Sequence, residues 1–252
     1  MIFGITEAGD ASVDYSWIRK VNDTDFTVLI TKNITNKFIN EALKVKDKVV
    51  IHATCTGYGG TTLEPNVPKW EAQLEQFKKL INNGFPENQL IVRIDPIIPT
   101  KKGLVLVQTV VEGFSPFCKT FRISVLDNYK HVQQRFVNAG LPVLYAGSFR
   151  APDCSFSDLD KLLKKCSELY GVEFECCAEP KLKNAKQVGC ISFNDLERLN
   201  LKYDKECFGF NNRRKGCLCL SGKKELLEHK SYSYNGIKYG CSNCCLYCYW
   251  RS

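Results

Sequence analysis

The sequence has no apolar run approaching the roughly eighteen residues that a membrane-crossing helix needs, so no membrane span is expected. Its start, MIFGITEAGDAS, lacks the basic stretch followed by an apolar stretch that marks an export signal, and the expectation is a cytoplasmic protein. No GxxxxGK[ST], HExxH or GxSxG occurs, and the three histidines, His52, His131 and His229, stand in no ligand spacing. Nucleotide hydrolysis on a phosphate loop, zinc proteolysis and serine-esterase chemistry therefore lack their residues. Low-complexity segments, internal repeats and Pro/Gly-rich linkers are missing as well, which excludes repeat arrays and tethered modules. With 44% hydrophobic and 25% charged residues over 252 positions, the chain is long enough for one good core.

Cysteine is what the sequence has in excess, at fourteen residues. In a reducing compartment such density is read as metal or cluster ligation rather than as a disulfide framework. The formal charge is +8, and residues 211–252 hold eight Lys/Arg against Glu225 and Glu228, so six of those charges sit in the tail. A basic tail attracts phosphates or balances an anionic thiolate-bound centre.

Short β-rich runs alternate with longer amphipathic ones, the pattern of βα units and a mainly parallel sheet. Strands are expected over 26–32, 48–55, 89–95, 120–126 and 172–178, with a further one over 141–147. Helices are expected over 34–45, 68–84, 104–113, 128–139 and 156–170. Residues 1–200 then make a partial (β/α) barrel, and 201–252 an irregular cysteine-rich segment completing the same domain. Alternation places Arg93 with Asp95, Arg122 with Ser124, and Glu175 with Cys177 and Glu179 on one face of their strands. Active sites of barrels gather at strand C-terminal ends, which makes Arg93, Asp95, Ser124 and Glu179 catalytic candidates. Mutually paired structural charges are the equal alternative. His52, in mid-strand, reads as a satisfied core histidine, and Glu64 as a turn cap or a ligand for ribose hydroxyls.

The last twelve residues contain Cys241, Cys244, Cys245 and Cys248. Cys241, Cys245 and Cys248 form CxxxCxxC with Tyr247 before the last cysteine, and three thiolates at this spacing can wrap three irons of a [4Fe–4S] cube, leaving the fourth open. Cys244 is then a spare. The competing parse pairs Cys241/Cys244 with Cys245/Cys248 as a four-thiolate zinc site.

This tail resembles the radical S-adenosylmethionine superfamily, whose signature is CxxxCxΦC with Φ aromatic, and its YCY run is similar to the spore photoproduct lyase branch. A wider resemblance, to a large uncharacterised bacterial family with a C-terminal cysteine cluster, rests on Thr31-Lys32-Asn33, the run Thr56 to Pro68, RIDPII from Arg93, ISVLDNY from Ile123, Cys177 to Glu179, Gly189 to Ile191, Cys217/Cys219 and the terminal triplet. The front of the chain and the stretch 141–155 depart from that family's pattern. The resemblance implies a (β/α)6 TIM-like partial barrel, circularly permuted so that GIKYG (236–240) is its first strand and the cluster loop lies at the C-terminus. It implies an enzyme that reductively cleaves S-adenosylmethionine, with electrons from an external donor of the flavodoxin or ferredoxin type. Thr31 and Asn33 would hold the methionine amino group, Lys32 would face the carboxylate, and Tyr247 and Tyr249 would border the cofactor. Amides of Gly59 and Gly60 would approach a phosphate or the adenosine. Cys177, Cys190, Cys217 and Cys219 would hold a second [4Fe–4S] cluster or a zinc ion. Cys55, Cys118, Cys154, Cys166, Cys176 and Cys207 are read as packing residues.

The substrate is not named by these residues. Tyr232, Tyr234, Tyr239, Tyr249 and Trp250 interleave with the basic tail, a combination that can stack bases, so a nucleic-acid substrate is one expectation. The rival from another class is a non-catalytic nucleic-acid-binding module stabilised by zinc or an iron–sulfur cluster.

Overall fold

The computed structural model describes residues 1–204, 209–210, 217–228, 232–234, 237–239 and 241–249. Runs of β-branched and aromatic residues become strands β1 (Phe3–Ile5), β2 (Phe26–Thr31), β3 (Val49–Thr54), β4 (Leu90–Ile97), β5 (Thr120–Val125) and β6 (Glu173–Cys176). The two-residue strands β7 (Lys186–Gln187) and β8 (Lys224–Glu225) extend the two edges. Among the described residues these eight form one open parallel sheet in the order β7-β6-β5-β4-β3-β2-β1-β8. Strands β1 to β7 thus lie in chain order, and right-handed crossovers between neighbours carry the connecting helices to a single face.

The helices are α1 (Trp17–Lys20), α2 (Asn36–Lys44), α3 (Trp70–Asn82), α4 (Lys101–Phe114), α5 (Lys130–Asn138), α6 (Asp153–Tyr170) and α7 (Phe193–Glu197). Thr35 and Thr100 cap α2 and α4 by accepting the N–H of Phe38 and Gly103, each at 3.1 Å. Helix α4 buries Val107, Val110, Val111 and Phe114 along one stripe. Helix α6 buries Phe156, Leu159, Leu163 and Cys166 and stops at Gly171 in the left-handed conformation. These stripes meet Leu29, Ile51, Val92, Phe121 and Phe174 of the strands in the principal core.

Alternate strand positions point to the other face, which is covered by α7 and the loops around it. On the β1–β2 side the contact is apolar: Phe3, Ile5, Phe26, Val28 and Ile30 pack with Ile191, Leu196 and Leu220. On the β3–β6 side it is ionic. The Arg122 guanidinium donates to Glu175 Oε2 at 2.5 and 3.0 Å and to both Asp195 oxygens at 3.0 Å. His52 Nε2 lies 2.9 Å from Asp195 Oδ1, and Asn194 Nδ2 donates to Glu175 Oε1 at 2.7 Å. All four ionisable residues are buried. These strand charges are therefore a mutually paired set that fastens α7 to the sheet.

The expected α/β fold with a mainly parallel sheet and flanking helices is present, and its sheet is open. Two expectations change. The place beside β2 belongs to Phe3–Ile5, whereas Ile237–Tyr239 (β10) pairs antiparallel with Tyr232–Tyr234 (β9) in a separate hairpin; the permuted first strand over 236–240 is thereby overturned. Residues 141–147 form no strand: Leu144–Gly147 is a short 3₁₀ turn with Tyr145 and Ala146 at φ 54° and 50°. Val143 is exposed there, so the run has no buried face to give a ladder. Among the described residues no helix is long and apolar enough to cross a membrane.

Burial lowers the His52 pKa to about 4, against the opposing pull of Asp195. The unfolded chain takes up this proton near pH 6.5, and the folded chain refuses it until about pH 4. Stability contributed by neutral His52 is complete above pH 6.5 and is lost as pH falls from 6.5 to 4, by up to about 3 kcal/mol. His52→Gln, which retains a donor for Asp195, should flatten that part of the stability profile, measured by denaturant unfolding at a series of pH values.

Candidate metal centre and cavity

The C-terminal ends of β1 to β5 surround a cavity of about 170 Å³. Its walls include Glu7 and Asp10 after β1, Thr31 and Lys32 at the end of β2, Thr54 of β3, Arg93 and Asp95 of β4, and Ser124 of β5. The remaining wall is the terminal loop, with Cys241, Asn243, Cys244, Cys245, Tyr247, Cys248 and Tyr249. Arg93 and Asp95, two residues apart on one strand face, form an ion pair.

The loop is held at several points. The buried carboxylate of Asp10 accepts Asn243 Nδ2 at 2.7 Å and the Lys32 N–H at 2.8 Å on Oδ2. Its Oδ1 accepts the Thr31 hydroxyl at 2.7 Å and the Ser12 N–H at 2.9 Å. One side chain thereby ties the cysteine loop to the end of β2. The Leu246 N–H donates to Leu63 O at 2.9 Å, Asn66 Nδ2 to Ser242 O at 2.7 Å and Arg135 Nη2 to Cys248 O at 2.6 Å. Beneath the loop, Cys245, Leu246 and Tyr247 pack with Tyr58, Val67 and Ile98 and with Val132 and Phe136 of α5.

Lys32 Nζ donates to Glu64 Oε1 at 2.8 Å and contacts the Tyr247 hydroxyl at 3.0 Å, and that hydroxyl also donates to Glu64 Oε1. Burial disfavours the Lys32 charge, but the Glu64 carboxylate and the nearby Cys245 outweigh it and raise its pKa. A fixed positive charge thus stands next to Cys245. Burial pushes the thiols of Cys241 and Cys245 up, and the nearby Cys248 raises both further. Buried thiols crowded in this way are deprotonated together only when a cation shares them.

The expected site residues divide by position. Thr31, Arg93, Asp95, Ser124, Tyr247 and Tyr249 line the cavity with the triplet. Asn33 turns to α3, where its Oδ1 accepts Gln76 Nε2 at 2.9 Å. Glu179 is buried beyond the end of β6, 3.8 Å from Arg150. Gly59 and Gly60 belong to the platform under the cysteine loop rather than to the cavity wall. A Cβ on Gly59 would stand 1.9 Å from Pro68 O, and the Gly60 N–H is committed to Glu64 O at 3.0 Å. Sequence reading missed Asp10 and Asn243 and took Cys244 as filler, although it too faces the cavity. Of the other cysteines, Cys55, Cys118, Cys166 and Cys176 are buried, Cys154 is exposed, and Cys207 lies outside the described residues. So do Trp250 and the side chains of Tyr232, Tyr234 and Tyr239.

A second set of thiols meets at the end of β6. Cys177 Sγ lies 3.4 Å from Cys219 Sγ and 3.7 Å from Cys217 Sγ, and the three sulfurs, within 4.8 Å of one another, could hold a metal ion. Thiol–thiol hydrogen bonds and burial push Cys177 and Cys219 up to about 12. Cys190 also reaches about 12: its bond to Cys177 pulls downward and is outweighed by its bond to Cys219 and by burial.

The sequence profile of DUF1848, described as a domain of unknown function, matches residues 12–250. The chain belongs to the DUF1848 family. No curated protein matches it. Among solved structures it is similar to a DUF72 family protein from Enterococcus faecalis, at 12% identity over 81% of this chain and 96% of that one, with a TM-score of 0.32. The DUF1848 fold described above stands on its own strand order.

Asp10→Asn replaces an acceptor oxygen with a donor that faces donors. At about 1–3 kcal/mol for a buried donor left unsatisfied, the variant should melt about 2–12 °C lower. Thermal denaturation of the variant beside the unaltered chain reads that shift.

Proposed function

We propose that this chain is a radical S-adenosylmethionine enzyme in which Cys241, Cys245 and Cys248 hold a [4Fe–4S] cluster. The observation that carries the reading is the convergence of the Cys241, Cys245 and Cys248 side chains on one cavity at the C-terminal ends of parallel strands, beside Lys32, Arg93 and Asp95. The residues present fit the group. The donor set is soft, as iron–sulfur clusters require, and the Lys32 ammonium beside Cys245 offsets thiolate charge. The chain-ordered strands with their helices on one face support the finer reading of a barrel left open. When bound, the cluster and S-adenosylmethionine supply a 5′-deoxyadenosyl radical upon one-electron reduction by an external donor of the flavodoxin or ferredoxin type.

The chain's own residues would bind and orient. Asp10, Leu63, Asn66 and Arg135 fix the cysteine loop. Glu64 and Lys32 hold the Tyr247 ring against that loop, keeping water from its apolar underside. The Arg93–Asp95 pair presents a cation and an anion to the cavity, suited to a substrate or cofactor carrying both a carboxylate and an ammonium group. At the rim, Tyr249 stacks on Tyr129 with ring centroids 6.1 Å apart, a face that suits a planar ring. A nucleobase is one substrate of that shape.

Protein purified without air, reduced with dithionite and given S-adenosylmethionine should form 5′-deoxyadenosine, detected by chromatography. Cys245→Ala should reduce the product to background. Undiminished product in that variant would remove the triplet from the reaction. A colourless, iron-free protein with no cleavage would refute the reading altogether.

A further inference from the structure

The second cysteine set has the spacing of thiolates that share one ion. Sulfurs at 2.3 Å from a tetrahedral zinc stand about 3.8 Å apart, and the two thiol contacts at Cys177 are 3.4 and 3.7 Å. A cubane cluster gives each thiolate its own iron at a separate corner, which spreads the sulfurs well beyond this distance. We propose that Cys177, Cys190, Cys217 and Cys219 form a closed mononuclear site for zinc, distinct in kind from the terminal triplet and independent of its chemistry.

Cys190 is the fourth ligand in this assignment, although in the structure only Cys177, Cys217 and Cys219 lie within 4.8 Å of one another. It packs against Cys177 and Cys219, and its N–H donates to Cys219 Sγ at 3.1 Å, a bond that stabilises a thiolate. The backbone around it is shaped to bring the sulfurs together. A Cβ on Gly189 would lie 2.5 Å from Leu218 O and 2.8 Å from Cys219 Cα, so only glycine lets the 188–191 segment approach the 217–219 segment this closely. Ala178, next to Cys177, takes φ 56°, a left-handed conformation that non-glycine residues adopt at a cost. Zinc binding releases four thiol protons and leaves the ion with its ligands at a net charge of −2. Arg122 Nη1 already donates to Cys190 O at 3.0 Å, placing a buried cation beside that charge.

The ion has a structural purpose. It would pin residues 188–191 and 217–219 to the end of β6, and with them α7, whose other anchor is the Arg122 network. Four protein thiolates leave no open position, the hallmark of a structural rather than a catalytic zinc.

The test uses the full chain carrying Cys241→Ala, Cys245→Ala and Cys248→Ala, so that failure of the triplet reading cannot affect it. Metal and acid-labile sulfide analysis of this variant should find one zinc per chain and no sulfide. Exchange with cobalt(II) should produce the intense visible absorption of a tetrahedral tetrathiolate, weakened by Cys190→Ser. Adding Cys177→Ser and Cys219→Ser should remove the zinc, and Gly189→Ala should lower its occupancy. Four irons with sulfide, a single iron, a Cys177–Cys219 disulfide found by peptide mass, or metal-free protein would each overturn the assignment. The metal content of the triplet variant decides the matter even where the later variants fail to fold.

Discussion

An open parallel sheet has two faces to bury, and here the helices can cover only one. Strands in chain order with right-handed crossovers send α2, α3, α4 and α6 to the same side. A closed barrel would fill its interior with its own strand side chains. This sheet must instead borrow a cover from the C-terminal third of the chain. The borrowed cover is α7 with its flanking loops over the middle of the face, and the cysteine loop over the strand C-terminal ends. The rest of the molecule follows from how those pieces are attached.

Attachment is apolar over β1 and β2 and ionic over β3 to β6, and the ionic part decides where a single change is costly. Placing Arg122, Glu175, Asp195 and His52 between sheet and cover carries a desolvation penalty that their pairing offsets. Such a network contributes modest net stability, but removal of one member is costly because the others remain buried and charged. It therefore fixes the position of α7 more than it strengthens the fold. Asp10 plays the same part at the other end of the face. Its two oxygens receive donors from the 10–12 turn, from the end of β2 and from Asn243, so the cysteine loop is tied to the sheet through one carboxylate.

The sequence made the helix-covered half of this arrangement readable. Strands β2 to β6 and helices α2 to α6 announce themselves by period and length, since each buries a long regular face. Strand β1 escapes because three residues, Phe3–Ile5, carry no period. Its role was given to 236–240, whose counterpart Ile237–Tyr239 pairs locally in a hairpin. The cysteines were visible because spacing alone groups them. Asp10 was not, because its importance comes from five donors contributed by segments as far away as Asn243, and a lone aspartate in a turn looks the same with or without them. Gly59 was legible as a special residue but not as to why. The Pro68 carbonyl that excludes its Cβ is nine residues downstream, in a loop whose path no local pattern specifies.

The two cysteine sets answer different demands of the same borrowed cover. At the end of β6 the thiols of Cys177, Cys217 and Cys219 face one another, with Cys190 beside them, and backbone passes close by on two sides. Their contacts of 3.4 and 3.7 Å are the spacing of thiolates that could share one ion. At the ends of β1 to β5 the thiols of Cys241, Cys245 and Cys248 instead border a cavity that also displays Arg93, Asp95 and Ser124. Side chains that converge on each other close a joint, and side chains that converge on a space leave room for a guest. Arg93 links the two places, since it lines the cavity while its charge acts on Cys190.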